Sequence, residues 1–175
     1  VRRRLQTVVA AAIALSIAAP LFGQANDEAE EVDRIGLGRL SEGPSIIGAG
    51  IVIGAPTGVT AKVWFTETGF GIDAAAAWRL TDNSSFHLQA DGLFHLALVE
   101  TEGGRYIVPY VGIGVTNRLS DDPRLGLRVP VGLSLLPFRA LPLEFFAEIA
   151  PGVGIWPETD ADLEFGLGAR FYFPL

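Results

Sequence analysis

The chain has 175 residues, 49% of them hydrophobic, with 13 basic and 20 acidic side chains and no cysteine. A net charge of −7 excludes the basic surface that nucleic-acid phosphates require. The missing cysteine excludes disulfides, thiolate nucleophiles and cysteine-zinc centres.

The chain opens "VRRRLQTVVAAAIALSIAAPLFGQA", three arginines followed by an apolar run from Leu5 to about Phe22 and then small residues at Gly23 and Ala25. This order predicts a secretory signal peptide over residues 1–25, cleaved after Ala25. The alternative, a membrane-anchoring helix, needs roughly 20 apolar residues, and the alanine-rich run is a little short of that. Cleavage would remove Arg2, Arg3 and Arg4 and leave ten basic residues against 20 acidic ones. Residues 26–43 read as an acidic, polar tail. The remaining 44–175 suit one domain.

From Pro44 onward the pattern becomes short runs of period-2 alternation separated by turn residues. The predicted strands are Ser45 to Gly54, Thr60 to Thr66, Phe70 to Leu80, Ser85 to about Glu100, Arg105 to Leu119, Arg124 to Leu136, Leu143 to Trp156 and Leu163 to Phe173. The turns between them include "APTG", "TDNS", "TEGG", "SDDP" and "PETDAD". No apolar stripe of helical period survives more than two turns, and glycine and proline interrupt most windows.

The two faces of these strands differ sharply. One carries residues such as Ile47, Ile51, Ile53, Val63, Phe65, Ile72, Trp78, Phe86, Leu88, Phe94, Ile113, Val115, Leu127, Leu133, Phe145 and Ile149. The other carries Lys62, Asp73, Arg79, His87, Gln89, Asp91, His95, Arg118, Arg124, Arg128, Glu144, Glu148, Glu164 and Arg170. Glycines share this second face, among them Gly48, Gly112, Gly114, Gly132, Gly166 and Gly168. Its six Lys and Arg nearly balance its five Asp and Glu.

Periodicity alone leaves open which face is inside. A soluble lipocalin-like barrel fills its interior with the apolar face, whereas an outer-membrane barrel turns that face to lipid and lines its lumen with the polar one. Matched charges among glycines suit a narrow lumen, where buried charges must be paired. Strands of about ten residues suit a tilted bilayer crossing. An aromatic final strand suits closure onto the first, which removes the sheet edge. The expected fold is therefore all-β, an eight-stranded antiparallel up-and-down transmembrane β-barrel. Trp78, Trp156, Tyr106 and Tyr110 are expected at the membrane interfaces. Trp64 falls on the polar face, which predicts that it packs over a lumen glycine or that a bulge shifts it.

The stretches "GAGIVIGAPTGVTAKVW", "LGLRVPVGLSLL", "PLEFFAEIAPGV" and "GLGARFYF" resemble a widespread group of small eight-stranded barrels of the bacterial outer membrane, similar in plan to the OmpA membrane domain and OmpX. The resemblance spans Gly48 to Phe173. It implies outer-membrane localisation, lipid as surroundings, periplasmic chaperones and the barrel-assembly machinery as biogenesis partners, and a monomer without cofactor. It also implies an assembly signal at Gly168, Phe171 and Phe173. Gly166 departs from that signal's usual polar residue, and Pro174 and Leu175 extend past its terminal aromatic. Both termini would face the periplasm.

Chemistry-bearing constellations are sparse. His87, Asp91 and His95 form a row along one strand, about 7 Å between neighbours, too spread for a metal centre. Ser85 shares their face, but a lipid-modifying hydrolase would need such groups at the lipid boundary rather than in the lumen. "GAPTGVTAK" lacks the spacing of a phosphate loop, and "ETDAD" lacks the register of a calcium loop. The expectation is no catalytic residue, no metal and no cofactor. Lys62, Asp73, Arg79, His87, Asp91, His95, Arg118, Arg124, Arg128, Glu144, Glu148, Glu164 and Arg170 are expected to form a lumen charge network. A structural or envelope-integrity role follows, with a narrow ion channel, a lipid-modifying enzyme and a soluble binding barrel as the other readings.

Overall fold

The computed structural model describes residues 45–174 except 56, 66–67, 80–84, 97–98, 102–104, 121–122 and 138–140. The expected signal peptide (1–25) and acidic tail (26–43) lie outside the described residues, as does the side chain of Arg79. The strands are β1 (Ser45–Ala55), β2 (Gly58–Phe65), β3 (Phe70–Arg79), β4 (Ser85–His95), β5 (Val99–Thr101), β6 (Arg105–Leu119), β7 (Arg124–Arg128), β8 (Val131–Leu136), β9 (Leu143–Trp156) and β10 (Ala161–Pro174). Every pairing is antiparallel.

These ten pieces make eight staves. Strands β4 and β5 both pair with β6, and β7 and β8 both lie between β6 and β9. The sequence predicts each of these two staves as one unbroken strand, and the structure interrupts both. In the β7–β8 stave the break falls at Val129-Pro130, because proline has no amide hydrogen for the ladder. Backbone bonding bridges the gap: Gly112 N donates to Pro130 O and Val129 N to Pro151 O, at 2.8 and 2.9 Å. Strand β10 then pairs with β1 from Ile46↔Pro174 to Ala55↔Phe165. The sheet closes on itself, and the edge problem disappears.

The apolar face is outside. Ile51, Ile53, Val59, Ile72, Leu88, Ile113, Leu133, Ile149, Leu163, Phe165 and Leu167 are exposed, Ile113 and Leu163 each by 65%. A soluble binding barrel would have the opposite arrangement. Phe65, Phe70 and Phe94 make ring contacts around the end nearest the termini, with centroids 6.1 and 5.1 Å apart. Trp78 and Trp156 are exposed toward the other end.

Alternate residues of the same strands are buried on the inside. At the end nearest the termini, Ile46, Trp64, Tyr106, Val108, Leu136 and Tyr172 form a buried apolar cluster. Tyr106 and Tyr110 therefore face inward rather than lying at the interface as expected. Their even positions in β6 share the lumen parity of Gly112 and Gly114, so strand alternation overrides proximity to a strand end. Trp64 also points inward, opposite Gly71 and without a bulge.

Large lumen side chains repeatedly lie across from a glycine on the neighbouring strand. Trp64 pairs with Gly71, Tyr172 with Gly48, Tyr110 with Gly132 and Phe146 with Gly168. Eight staves leave only enough room inside for side chains, so Tyr172, Tyr110 and Phe146 occupy space that the glycine opposite leaves free, while the space beside Gly71 is bounded by His95 and Lys62. A Cβ on Gly48 would lie 2.7 Å from Tyr172 Cε1, and one on Gly168 would meet the Phe146 ring. Gly48→Ala and Gly168→Ala should each lower stability by about 1–3 kcal/mol, the usual range for overpacking. Urea unfolding of the folded protein in lipid vesicles measures this, and unchanged midpoints would contradict the close approach.

Candidate functional site

The polar lumen residues converge on two clusters stacked along the barrel axis. The cluster nearer the termini centres on Glu144 of β9, which is fully buried. Glu144 accepts from Lys62 Nζ of β2 at 3.1 Å, from Tyr172 OH at 2.7 Å, from Arg170 Nη1 at 3.3 Å and from Ser134 Oγ. Arg170 of β10 also donates to Asp73 of β3 and to Thr60 Oγ1 of β2, at 2.9 Å from Nη2. Thr60 in turn donates to Asp73 Oδ1 at 2.8 Å. The guanidinium lies 3.9 Å over the Phe146 ring. Two cations thus face two carboxylates, which is what a buried ionic cluster requires.

The second cluster centres on Arg128 of β7. Its Nη1 donates to Glu164 Oε2 at 2.9 Å and to Gln89 Oε1 at 2.5 Å, and its Nη2 donates to Glu148. Arg128 Nε lies 3.4 Å from Asp91 Oδ1. Tyr110 OH donates to the other oxygen of Glu148 at 2.9 Å. Three carboxylates surround this single guanidinium.

The remaining expected members of the network take other places. His95 stacks on Trp64 at 4.1 Å and bonds Gly69 O through Nδ1 at 2.9 Å. His87 Nε2 bonds Thr116 Oγ1 and lies 3.3 Å from Glu164 Oε1. Arg118 and Arg124 stand outside both clusters. They lie at the mouth opposite the termini, where Arg118 meets Asp162 at 3.4 Å and Arg124 meets Asp160 at 2.9 Å. Their position in the last residues of β6 and the first of β7 carries them past the packed interior. Both rim pairs are partly solvated, Arg124 and Asp160 each by about half.

His87, Asp91 and His95 therefore do not act together, because each turns to a different partner. His87 Nε2 faces both Thr116 and Glu164, an arrangement unlike a relay in which opposite ring nitrogens serve nucleophile and acid. Among the described residues no group of three His, Asp or Glu side chains gathers as metal ligands. Thr60, Ser134, Tyr110, Tyr172 and Thr116 complete the polar lumen. Strand parity identifies them in the sequence: Thr60 shares the face of Lys62, and Tyr172 that of Arg170.

At the mouth opposite the termini a vestibule of about 80 Å³ opens, lined by His87, Thr116, Arg118, Arg124, Arg128 and Glu164 among others. Gly126, Gly152 and Gly154 supply its small wall residues. Toward the other end lies the buried apolar cluster that includes Trp64 and Tyr172.

No protein-family model matches the chain, and no curated protein matches it by sequence. Among solved structures it is similar to the N-terminal β-barrel domain of Pseudomonas aeruginosa OprF, with a TM-score of 0.52 and 13% identity over 74% of this chain and 98% of that one. The fold is that of a small outer-membrane β-barrel. Neisserial surface protein A (NspA) also aligns, at a TM-score of 0.40 and 10% identity, over 74% of this chain and 96% of that one.

The two kinds of ion pair should respond differently to truncation. Glu144→Ala would leave Lys62 and Arg170 buried without their shared carboxylate and should cost about 3–5 kcal/mol. Arg124→Ala breaks a half-solvated pair and should cost less than about 1 kcal/mol. Equal unfolding midpoints for the two variants would contradict the burial difference.

Proposed function

We propose that the chain is a monomeric protein of the bacterial outer membrane whose role is structural, supporting envelope integrity, and whose lumen is plugged. The observation that carries this reading is the combination of a closed ring, a continuous apolar exterior and a charge-paired interior. An exterior of Ile, Leu and Phe is unfavourable in water and favourable in lipid. Closure leaves no unpaired strand edge in the bilayer. The interior ionic clusters and the apolar cluster near the termini occupy the path that a solute would follow.

In this reading residues 1–25 direct export and are removed after Ala25, while residues 26–43 remain in the periplasm. The outward rings of Phe171 and Phe173, 5.2 Å apart, and Gly168 between β9 and β1 act as the signal for barrel assembly. Lipid is the lasting partner, and chaperones and assembly machinery are transient ones. The lumen-facing histidines and carboxylates are structural, so no enzymatic activity is assigned.

In a detergent gel the folded protein should migrate differently before and after boiling, and its circular dichroism should be strand-dominated. A water-soluble monomer obtained without detergent would overturn the membrane assignment. Planar-bilayer recording across pH and salt should show no discrete conductance, and stepwise openings would favour a narrow channel. Expression should leave the lipid A mass spectrum unchanged, and a new acylation state would favour an enzyme.

A further inference from the structure

The apolar outward face of the barrel has one interruption. Asn117 of β6 stands on it between Val115 and Leu119, while Thr116 and Arg118 turn to the vestibule. Apart from Ser45, Thr101 and Arg105 at the end nearest the termini, it is the one non-aromatic polar side chain on the outward face of the described strands. Its neighbours across the sheet are Leu88 of β4 and Leu125 of β7. Both leucines, Val115 and Leu119 are exposed. The Asn117 amide makes no hydrogen bond with the described residues. An amide ringed by hydrocarbon needs a partner from outside the chain, because leaving it unpaired in an apolar medium is costly.

Two rows of side chains fix its depth. Trp78, Phe86 and Leu119 are paired side by side and carry the apolar band one row beyond Asn117, toward the mouth. In the row of Asn117 itself, Leu125 lies between it and Trp156. The register between β7 and β9 shifts there, and the consecutive Ile155 and Trp156 are both exposed. Outward tryptophan marks the boundary between headgroups and acyl chains. Asn117 thus stands at the depth where a lipid's chain joins its headgroup, with an apolar row between it and the aqueous side.

This inference rests on the outer-membrane reading. We propose that Asn117 is the docking point of one lipid whose acyl chain is amide-linked, the lipid N–H donating to Asn117 Oδ1 and a lipid carbonyl accepting from Nδ2. A carboxamide presents both an acceptor and donors. Ester-linked lipids supply carbonyls for the donors, but their linkage has no N–H for the acceptor. The acyl chain then lies along Val115 and Ile113, both exposed, where Ala90 across from Val115 leaves room beside them. The headgroup phosphate is not what is read, because Arg118 and Arg124 are engaged by Asp162 and Asp160 on the lumen side.

The test compares sphingomyelin with phosphatidylcholine on the full folded chain in detergent. The two share a phosphocholine headgroup, and only sphingomyelin carries an amide at the junction. Native mass spectrometry should show one sphingomyelin retained per barrel, in preference to phosphatidylcholine by about tenfold. Asn117→Leu should bring that preference to about one. The substitution adds hydrocarbon to an apolar face, so its heat-modifiable gel shift should persist. Val115→Leu, one position along the same face, should keep the preference. So should wild type with 3-deoxysphingomyelin, which retains the amide and lacks the hydroxyl; loss of retention there would overturn the amide as the recognised group. Equal retention of the two lipids by the wild type, or a preference unchanged in Asn117→Leu, overturns the site and leaves the outer-membrane reading standing. A wild-type chain that is a soluble monomer without detergent overturns both.

Discussion

The whole structure depends on one constraint: an eight-stave ring has an interior that side chains must fill themselves. A charged group admitted to such a space loses its water and must recover the loss from an opposite charge and directed hydrogen bonds. Glu144 illustrates the outcome, with four donors from β2, β8 and β10 meeting on one carboxylate. The same shortage of room explains the glycines. Tyr110, Tyr172 and Phe146 each lie against a residue opposite that has no side chain.

The constraint acts with opposite sign on the two faces. Outside, any large apolar side chain is accommodated, so β1 and β10 alternate Ile, Leu and Phe with little regard to mutual fit. Inside, identity and register are tightly coupled. Shifting β10 by a single residue against β1 would turn Glu164 and Arg170 outward. The lumen pairs thereby specify the register that the outward apolar residues leave loosely determined.

Most of the fold was legible in the sequence because period-2 alternation is a strong signal and because the two faces differ so much. Strand positions, the closure of the last strand on the first and the inward orientation of Lys62, Asp73, Glu144 and Arg170 all follow from parity. Three features were less legible. Tyr106 and Tyr110 looked interfacial by their place near a strand end, although their parity placed them inside. Arg118 and Arg124 shared the lumen face, but parity says nothing of height along the axis, and they stand at the rim beside Asp162 and Asp160. The β7–β8 interruption depends on Pro130, whose effect on the ladder is softened by the bond that its own carbonyl accepts from Gly112.

The span of the ionic bonds in sequence bears on how the barrel comes to exist. Asp73 and Thr60 lie in the second and third staves, yet their guanidinium, Arg170, lies in the eighth, 97 and 110 positions away. A ring lacking its final stave would hold Asp73 without that counter-ion and leave Glu144 with Lys62 as its remaining cation. Such an intermediate carries Asp73 and Glu144 against Lys62 alone, one negative charge in excess. Lys62 of the second stave meets its carboxylate in the seventh, and Asp73 of the third meets its guanidinium in the eighth, so the cluster around Glu144 balances its charge only when the last stave is in place.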